Sequence, residues 1–262
     1  MDIAPTALAS FASSQPGGDK RQGGVIAFYY GDASALLSGP KGLIVTPNLD
    51  HLRLLGLSKA LRRAYVQADV IVNDSRFLDK LAIRGAVPCI PGSELAPDML
   101  EALRAGSRVC MIGGSPTVQA FLAHAYPRLL FAFVSPSMGY IKRRSERRAI
   151  VAEVMVGAPD CVFVCTGAPQ SELLAAQLKR SGCTATLLCC GSAFNFLAGV
   201  KPRAPRAFQL LGAEWLWRFI GEAHTRRRYV ADALFLLTNL GAVKDMRRTG
   251  RARFASYILA AR

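Results

Sequence analysis

Apolar residues in this chain come in short unbroken runs, and a polar or glycine-rich cluster follows each one. Leu43-Ile44-Val45 ends in Thr46-Pro47-Asn48, and Val70-Ile71-Val72 ends in Asn73-Asp74-Ser75. Residues 108–112 end in Gly113-Gly114-Ser115-Pro116, and 130–134 lead into 135–140, which closes on Gly139-Tyr140. Residues 161–165 end in Thr166-Gly167-Ala168-Pro169-Gln170, and 184–190 in Gly191-Ser192-Ala193-Phe194-Asn195. Runs without polar alternation fit strands buried on both faces, as in a parallel sheet. A weaker run, 87–91, closes on Gly92-Ser93-Glu94, and 25–30 reads as a first, edge strand. Between the runs lie helical spacings: 49–68, with Leu52, Leu55, Leu61 and Tyr65 on one side, then 76–84, 96–105, 117–126, 144–156 and 172–181.

This alternation predicts an α/β fold, a Rossmann-like, mostly parallel sheet with helices on both faces. Every polar cluster then falls at the carboxyl end of a strand. Open α/β sheets bind ligands at that edge, so the clusters are expected to converge on one crevice. After Gly199 the rhythm changes. Residues 201–206 are basic and broken by proline. Residues 210–223 and 229–240 read as amphipathic helices, with Trp215, Trp217, Phe219, Phe235 and Leu236 beside Arg218 and Arg226-Arg227-Arg228. The expected organisation is a disordered tail over 1–24, an α/β domain over 25–200, and a basic helical C-terminal appendage over 201–262.

Composition narrows the function. Half of the 262 residues are hydrophobic, enough for a sizeable core, yet no apolar run is long enough to span a bilayer. The N-terminus has no basic-then-apolar leader, so a cytoplasmic protein is expected. The seven cysteines include five inside apolar runs, and the three histidines show no ligand spacing with them, so neither a metal site nor a disulfide is expected. The net charge is +15, and residues 201–262 carry +9 of it, with 13 Lys and Arg against 4 Asp and Glu. That excess implies an anionic partner: a nucleic acid, an acidic membrane face or phosphates. The chain has no helix-turn-helix, RNP or zinc pattern, which argues against nucleic acid.

Asp74 is the most informative carboxylate. At a strand end it is either the N-cap of the helix expected over 76–84 or a base aimed at the crevice. Gly113-Gly114-Ser115-Pro116 joins a strand to a helix without matching the dinucleotide or P-loop fingerprints. It is either a phosphate cradle or a packing turn. In Gly167-Ala168-Pro169-Gln170-Ser171-Glu172, Ser171 is a candidate cap, and the free N–H groups could hold a diphosphate. No Asp-x-Asp occurs anywhere in the chain. A leaving diphosphate would therefore be stabilised by helix ends and by arginines such as Arg203, Arg206, Arg218 and Arg226–Arg228.

Taken in order, these clusters, with Pro91-Gly92-Ser93, Phe196-Leu197-Ala198-Gly199, Arg203-Ala204-Pro205 and Gly212-Ala213-Glu214-Trp215-Leu216, resemble the WecG/TagA/CpsF family of bacterial glycosyltransferases. The resemblance runs from about residue 42 to 240. It implies an inverting, metal-independent hexosyltransferase without a cofactor, which moves a sugar from a UDP-sugar to a polyprenyl-diphosphate-linked saccharide. It also implies a peripheral protein on the inner, anionic face of the cytoplasmic membrane, working in cell-surface or exopolysaccharide synthesis. The family's base falls on Asp74 and its Thr-Pro-Asn pocket on Thr46 and Asn48. Substrate-contacting positions then include Asn73, Ser75, Gly113, Gly114, Gly139, Tyr140, Gly167, Pro169, Gln170, Ser171, Glu172, Asn195, Arg203, Arg206 and Arg218. The chain departs from the family at Asn73 and Ser75, where Pro and Gly flank the Asp, and at Gln170-Ser171, where Lys-Gln is usual. It also departs at Cys89, at Ser192 and at Asn195. The donor sugar is left open, and an inactive member and a nucleic-acid-binding α/β protein are the alternatives.

Overall fold

The computed structural model describes residues 25–38, 42–254 and 257–260, so the N-terminal tail expected over 1–24 lies outside the described residues. Its strands are β1 (Val25–Ala27), β2 (Leu43–Val45), β3 (Val70–Ile71), β4 (Arg108–Ile112), β5 (Leu130–Val134), β6 (Cys161–Val164), β7 (Thr186–Cys189), β8 (Arg251–Phe254) and β9 (Tyr257–Ala260). Six of them form one sheet in the order β3-β2-β7-β6-β4-β5, every pair parallel. The unbroken apolar runs are explained by what each face meets. Leu43, Val45, Cys110, Ile112, Val162, Val164, Leu187 and Cys189 enter one core cluster. Ile44, Val109, Met111, Cys161, Phe163 and Leu188 enter the other. With both faces dry, each large aliphatic side chain contributes about 1.5–3 kcal/mol.

Helices cover both faces. Leu49–Leu57, Lys59–Tyr65, Arg144–Gly157 and Gln170–Arg180 pack on the first, and Gly92–Ala102, Pro116–Ala125 and Ala193–Leu197 on the second. The helix after β2 leaves over one face and the helix after β7 over the other. These two strands are neighbours, so a crevice opens between their carboxyl ends.

Local chemistry moves several expected boundaries. The helix expected over 49–68 breaks at Ser58, whose hydroxyl accepts from Leu61 N and caps a second helix. Residues 76–84 hold only a short helix, Arg76–Leu78, that widens into a π turn, Asp79–Ile83. Residues 87–91 are not a strand: Cys89 forms a single bridge with Asn73, and the next helix starts at Gly92, four residues earlier than expected. The first strand stops at Ala27 and joins a separate sheet; just beyond it Tyr29 N lies 2.8 Å from Ile71 O on the outer edge of β3.

From Lys201 the chain forms the helices Arg206–Leu210, Glu214–Gly221, Arg226–Thr238 and Leu240–Thr249. No helix among the described residues is long and apolar enough to cross a membrane. A second, small sheet at the C-terminal end had no counterpart in the sequence pattern. β8 and β9 form a hairpin, and β9 pairs in parallel with β1, giving a sheet in the order β1-β9-β8. Val243, Met246, Tyr257 and Leu259 are buried in the same cluster as Leu43 and Leu52. The Tyr257 hydroxyl donates to the Leu52 carbonyl at 2.7 Å, and Arg53 Nε donates to Asp232 Oδ1 at 2.8 Å. The last sixty residues are thus stitched to the helix after β2.

Tyr257 measures this stitching. Replacing it by Phe removes one buried hydrogen bond and is expected to cost about 1 kcal/mol. Replacement by Ala also empties the ring's space and is expected to cost about 3–5 kcal/mol. Urea unfolding at constant m-value distinguishes the two losses, and an Ala variant as stable as the native chain would show that the hairpin is not part of the core.

Candidate active site

Asp74 leaves the sheet where β3 ends. Ser75, not Asp74, caps the next helix, accepting from Leu78 N at 3.1 Å. Asp74 Oδ1 instead accepts from Gly92 N at 2.5 Å, at the first turn of Gly92–Ala102. A Cβ on Gly92 would lie 3.2 Å from Thr46 Oγ1 and 3.4 Å from Asp74 Oδ1, so glycine lets the helix end approach the carboxylate. Burial raises the Asp74 pKa. The Gly92 N–H and the charges of His51 and Arg218 pull it back, and Glu214 pushes it further up.

Asp74 lines a cavity of about 280 Å³ between the strand ends and the C-terminal helices. Asn48, Leu49, Asp50, Ser75, Arg76 and Phe77 come from the sheet side, and Gly212, Glu214, Trp215, Arg218, Arg228, Tyr229 and Asp232 from the helices. The two walls are joined by ion pairs. Arg76 donates to Glu94 Oε1 at 2.6 Å and to Glu214 Oε1 at 2.8 Å, and Arg203 donates to the same Glu94 oxygen at 2.6 Å. Trp215 meets Phe77 edge-on with ring centroids 6.0 Å apart. Gly212 has φ 70°, and a Cβ there would sit 3.1 Å from the Arg76 carbonyl oxygen and from Phe77 N. On the far wall, burial raises Asp232 to about 6, Arg53 pulls it down and Asp50 pushes it up.

Of the residues singled out from sequence, Asn48, Asp74, Ser75, Arg218 and Arg228 face this cavity. Thr46 is buried, its hydroxyl donating to the Cys189 carbonyl at 2.9 Å across the β2–β7 crevice. Asn73 is fully buried. Its Oδ1 accepts from Ser75 N at 3.3 Å, and its Nδ2 has no partner among the described residues. Gly113 and Gly114 are close-packed: a Cβ would lie 3.1 Å from Thr166 Cγ2 at the first and 2.4 Å from Met111 Cε at the second. Both also have positive φ, 92° and 81°, so the backbone conformation as well as the close neighbours calls for glycine.

Gly139 and Gly167 have open space where a Cβ would be. Between them the Tyr140 hydroxyl lies 2.9 Å from Thr166 Oγ1, and burial raises its pKa to about 12. Ser171 does not cap its helix, which starts at Gln170 after Pro169. Its hydroxyl is 3.2 Å from Thr166 Oγ1, and its N–H donates to Gly167 O. The Gln170 amide nitrogen, turned to the loop, donates to the Ala168 and Gly167 carbonyls. Glu172 is buried beside His51, and Asn195 accepts the Lys201 N–H with its carbonyl. Arg206 is exposed at the start of its helix.

His51, Arg76, Glu94, Glu214 and Asp232 were not singled out as site residues. Arg76 comes two positions after Asp74, and Glu214 stands in the Gly-Ala-Glu-Trp-Leu cluster, so both carried a signal. Arg228 is the one member of the Arg226–Arg228 run that lines the cavity. Its role, like that of Asp232, arises from how two helices pack, which no local pattern encodes.

Residues 32–250 match the family described as Glycosyl transferase WecG/TagA/CpsF. N-acetylglucosaminyldiphosphoundecaprenol N-acetyl-beta-D-mannosaminyltransferase of Staphylococcus aureus strain NCTC 8325 is 28% identical over 183 residues, 67% of this chain and 70% of the relative. The enzymes of the same name from strains COL and MRSA252 match to the same extent.

Gly212→Ala tests the cavity wall. The left-handed backbone alone is expected to cost about 1–2 kcal/mol, and the contact with Arg76 forces Glu214 and Trp215 away from the sheet. Tryptophan fluorescence should shift to the red, and the unfolding midpoint should fall. Unchanged emission and stability would show that this wall does not depend on the close approach.

Proposed function

The chain belongs to the WecG/TagA/CpsF family of glycosyl transferases, and on that premise we propose that it moves a hexosyl group from a UDP-sugar to a saccharide carried on a polyprenyl diphosphate. The observation that carries this reading is Asp74: one carboxylate on a rigid strand end, held by a helix N–H, raised in pKa, and facing a cavity that also holds Arg218 and Arg228. The relatives' name, which places a transferase on a diphosphoundecaprenol-linked sugar, supports the acceptor class.

The chemistry is a single displacement. The acceptor hydroxyl oxygen attacks the anomeric carbon, its proton passes to Asp74, and the bond to the UDP oxygen breaks. The configuration inverts. The raised pKa makes Asp74 a stronger base near neutral pH, while Arg218 and His51 keep enough of it ionised to act. The diphosphate charge that develops is met by Arg218 and Arg228, with the open Gly139 and Gly167 turns giving the nucleotide a place on the same edge. No Asp-x-Asp is present to bind a divalent cation, so the arginines carry that role.

The outer surface of the same helices fits a bilayer face. Leu216 and Ile220 lie one turn apart, and Val230, Leu234 and Leu237 form a stripe on the next long helix. All five are exposed, as are Arg206, Arg226 and Arg227 around them. Apolar side chains toward acyl chains with arginines at the head groups would bring the cavity to a lipid-linked acceptor on the inner face of the membrane.

Asp74→Asn is expected to fold and to lose about 10²–10⁴-fold in transfer rate, measured as UDP released from a UDP-sugar with a synthetic lipid-diphosphate saccharide. In the same assay the native protein should keep its rate in EDTA. A fully active Asp74→Asn would remove the base, and loss of activity in EDTA with recovery on added Mn²⁺ would remove the metal-free mechanism.

Binding to phosphatidylglycerol vesicles should exceed binding to neutral vesicles and weaken with salt, each Lys or Arg near the surface contributing about 1 kcal/mol. Cosedimentation reads this directly. Equal, salt-insensitive binding to both would rule out an electrostatic anchor.

A further inference from the structure

His51 lies behind the cavity wall, clamped on both sides of its ring. Nε2 is 3.2 Å from Glu172 Oε1, on the helix Gln170–Arg180. Nδ1 is 2.9 Å from Asn48 Oδ1, and that oxygen already accepts from Asp50 N at 3.1 Å. Nδ1 also lies 3.3 Å from the Asn48 backbone N–H, so it faces a donor as well as an acceptor. The closer group is the oxygen, which only accepts, and together with the raised pKa this assigns a proton to Nδ1 as well as the one that Nε2 shares with Glu172. Both ring nitrogens are therefore donors, and the ring is an imidazolium. The Asn48 oxygen is then fully engaged with His51 and Asp50, which leaves the Asn48 NH₂ group for the cavity that Asn48 lines.

We propose that His51 is a positioning residue for sugar transfer: paired with Glu172, it fixes the Asn48 carboxamide with its two N–H donors turned toward the substrate. The group that Asn48 meets is accordingly a hydrogen-bond acceptor on the saccharide, a hydroxyl or acyl oxygen. This assignment of the ligand rests on the transferase reading above, whereas the coupling of His51 to Asn48 does not.

The arrangement has a second state. When Nδ1 loses its proton, it faces Asn48 Oδ1 with a lone pair, and two acceptors at that distance repel. The backbone N–H of Asn48, 3.3 Å from Nδ1, is then the available donor to the ring. The carboxamide must rotate, presenting oxygen where the substrate needs N–H. The charged groups around the ring all oppose this step. Burial favours the neutral imidazole, but the hydrogen bond and charge of Glu172, then the charges of Asp50 on its own helix and Asp74 at the end of β3, outweigh it and raise the pKa. Glu172 is committed to the pair: its second oxygen is buried with no hydrogen-bond partner among the described residues. The cation thus persists above the ordinary histidine range, and the donor arrangement is lost as pH rises through the raised pKa.

The alternative is a helix cap and nothing more, since Asn48 and His51 form a capping box at the start of Leu49–Leu57. NMR of the labelled full chain separates the two. The imidazole nitrogens of His51 and the side-chain NH₂ of Asn48 are followed from about pH 5 to pH 9. The positioning role predicts one midpoint for both, moved down by about one pH unit or more in Glu172→Gln. The alkaline limb of kcat/KM should share that midpoint and move with it. His51→Gln, a residue suited to this position of a capping box, should remove the pH dependence of the Asn48 signals, and it serves if Glu172→Gln does not fold. Asn48 signals that stay fixed while His51 titrates would overturn the proposal. A protein that shows the coupled titration but transfers no sugar would instead overturn the transferase reading and leave the coupling standing.

Discussion

A sheet covered on both faces has no place for polar side chains, and the rest of this protein is arranged around that constraint. β2, β4, β6 and β7 send alternate residues into two dry clusters, so any polar group within them would be stranded without water or a partner. Polar residues are therefore displaced to the strand ends. Because every strand in the sheet is parallel, the carboxyl ends share one edge. Thr46, Asp74, Tyr140 and Thr166 are neighbours on that edge for this reason, although the chain spreads them over more than a hundred positions.

The edge is electrostatically tense. His51, Asp74 and Asp232 all have raised pKa values, so the folded chain holds protons more tightly there than the unfolded chain does. For His51 the stabilisation is present in full below the ordinary histidine pKa and is lost as pH rises through the raised one. For Asp74 and Asp232 the sign gives the same trend, because ionising a carboxyl whose pKa is raised works against the fold. At neutral pH the protein thus tolerates charge at Asp74 that the fold alone would discourage, as the base proposed above requires. Arg218 and the Gly92 N–H are the compensation.

Much of this was legible in the sequence because it depends on local patterns. Unbroken apolar runs gave the strands, and polar punctuation gave the edge, including Asp74. The errors are also physical. Ser58 splits one expected helix because a serine hydroxyl competes for the N–H groups of the next turn. Of the two readings open for Asp74, the structure sets aside the cap: Ser75 caps the next helix, and Asp74 instead accepts from the N–H of Gly92, eighteen residues later. The far wall of the cavity was legible only in part: Arg228 stood among the candidate arginines and Glu214 in a noted cluster, but their convergence with Asp232 exists only once the C-terminal helices fold back over the strand ends. At Gly113-Gly114 the positive φ values and the neighbours Thr166 and Met111 give a structural reason for glycine that holds beside the phosphate-cradle reading.

The pairing of β9 with β1 has a consequence for biosynthesis. Val25 and Ile258 are partners in one register, so the first described strand waits for the last before it acquires a neighbour. Until β9 emerges from the ribosome, the face of Leu49–Leu57 that Tyr257 and Leu259 cover stays open to water. The nascent chain can build the six-stranded sheet early, but closure of its core depends on contacts of very long sequence separation, the kind that form slowly.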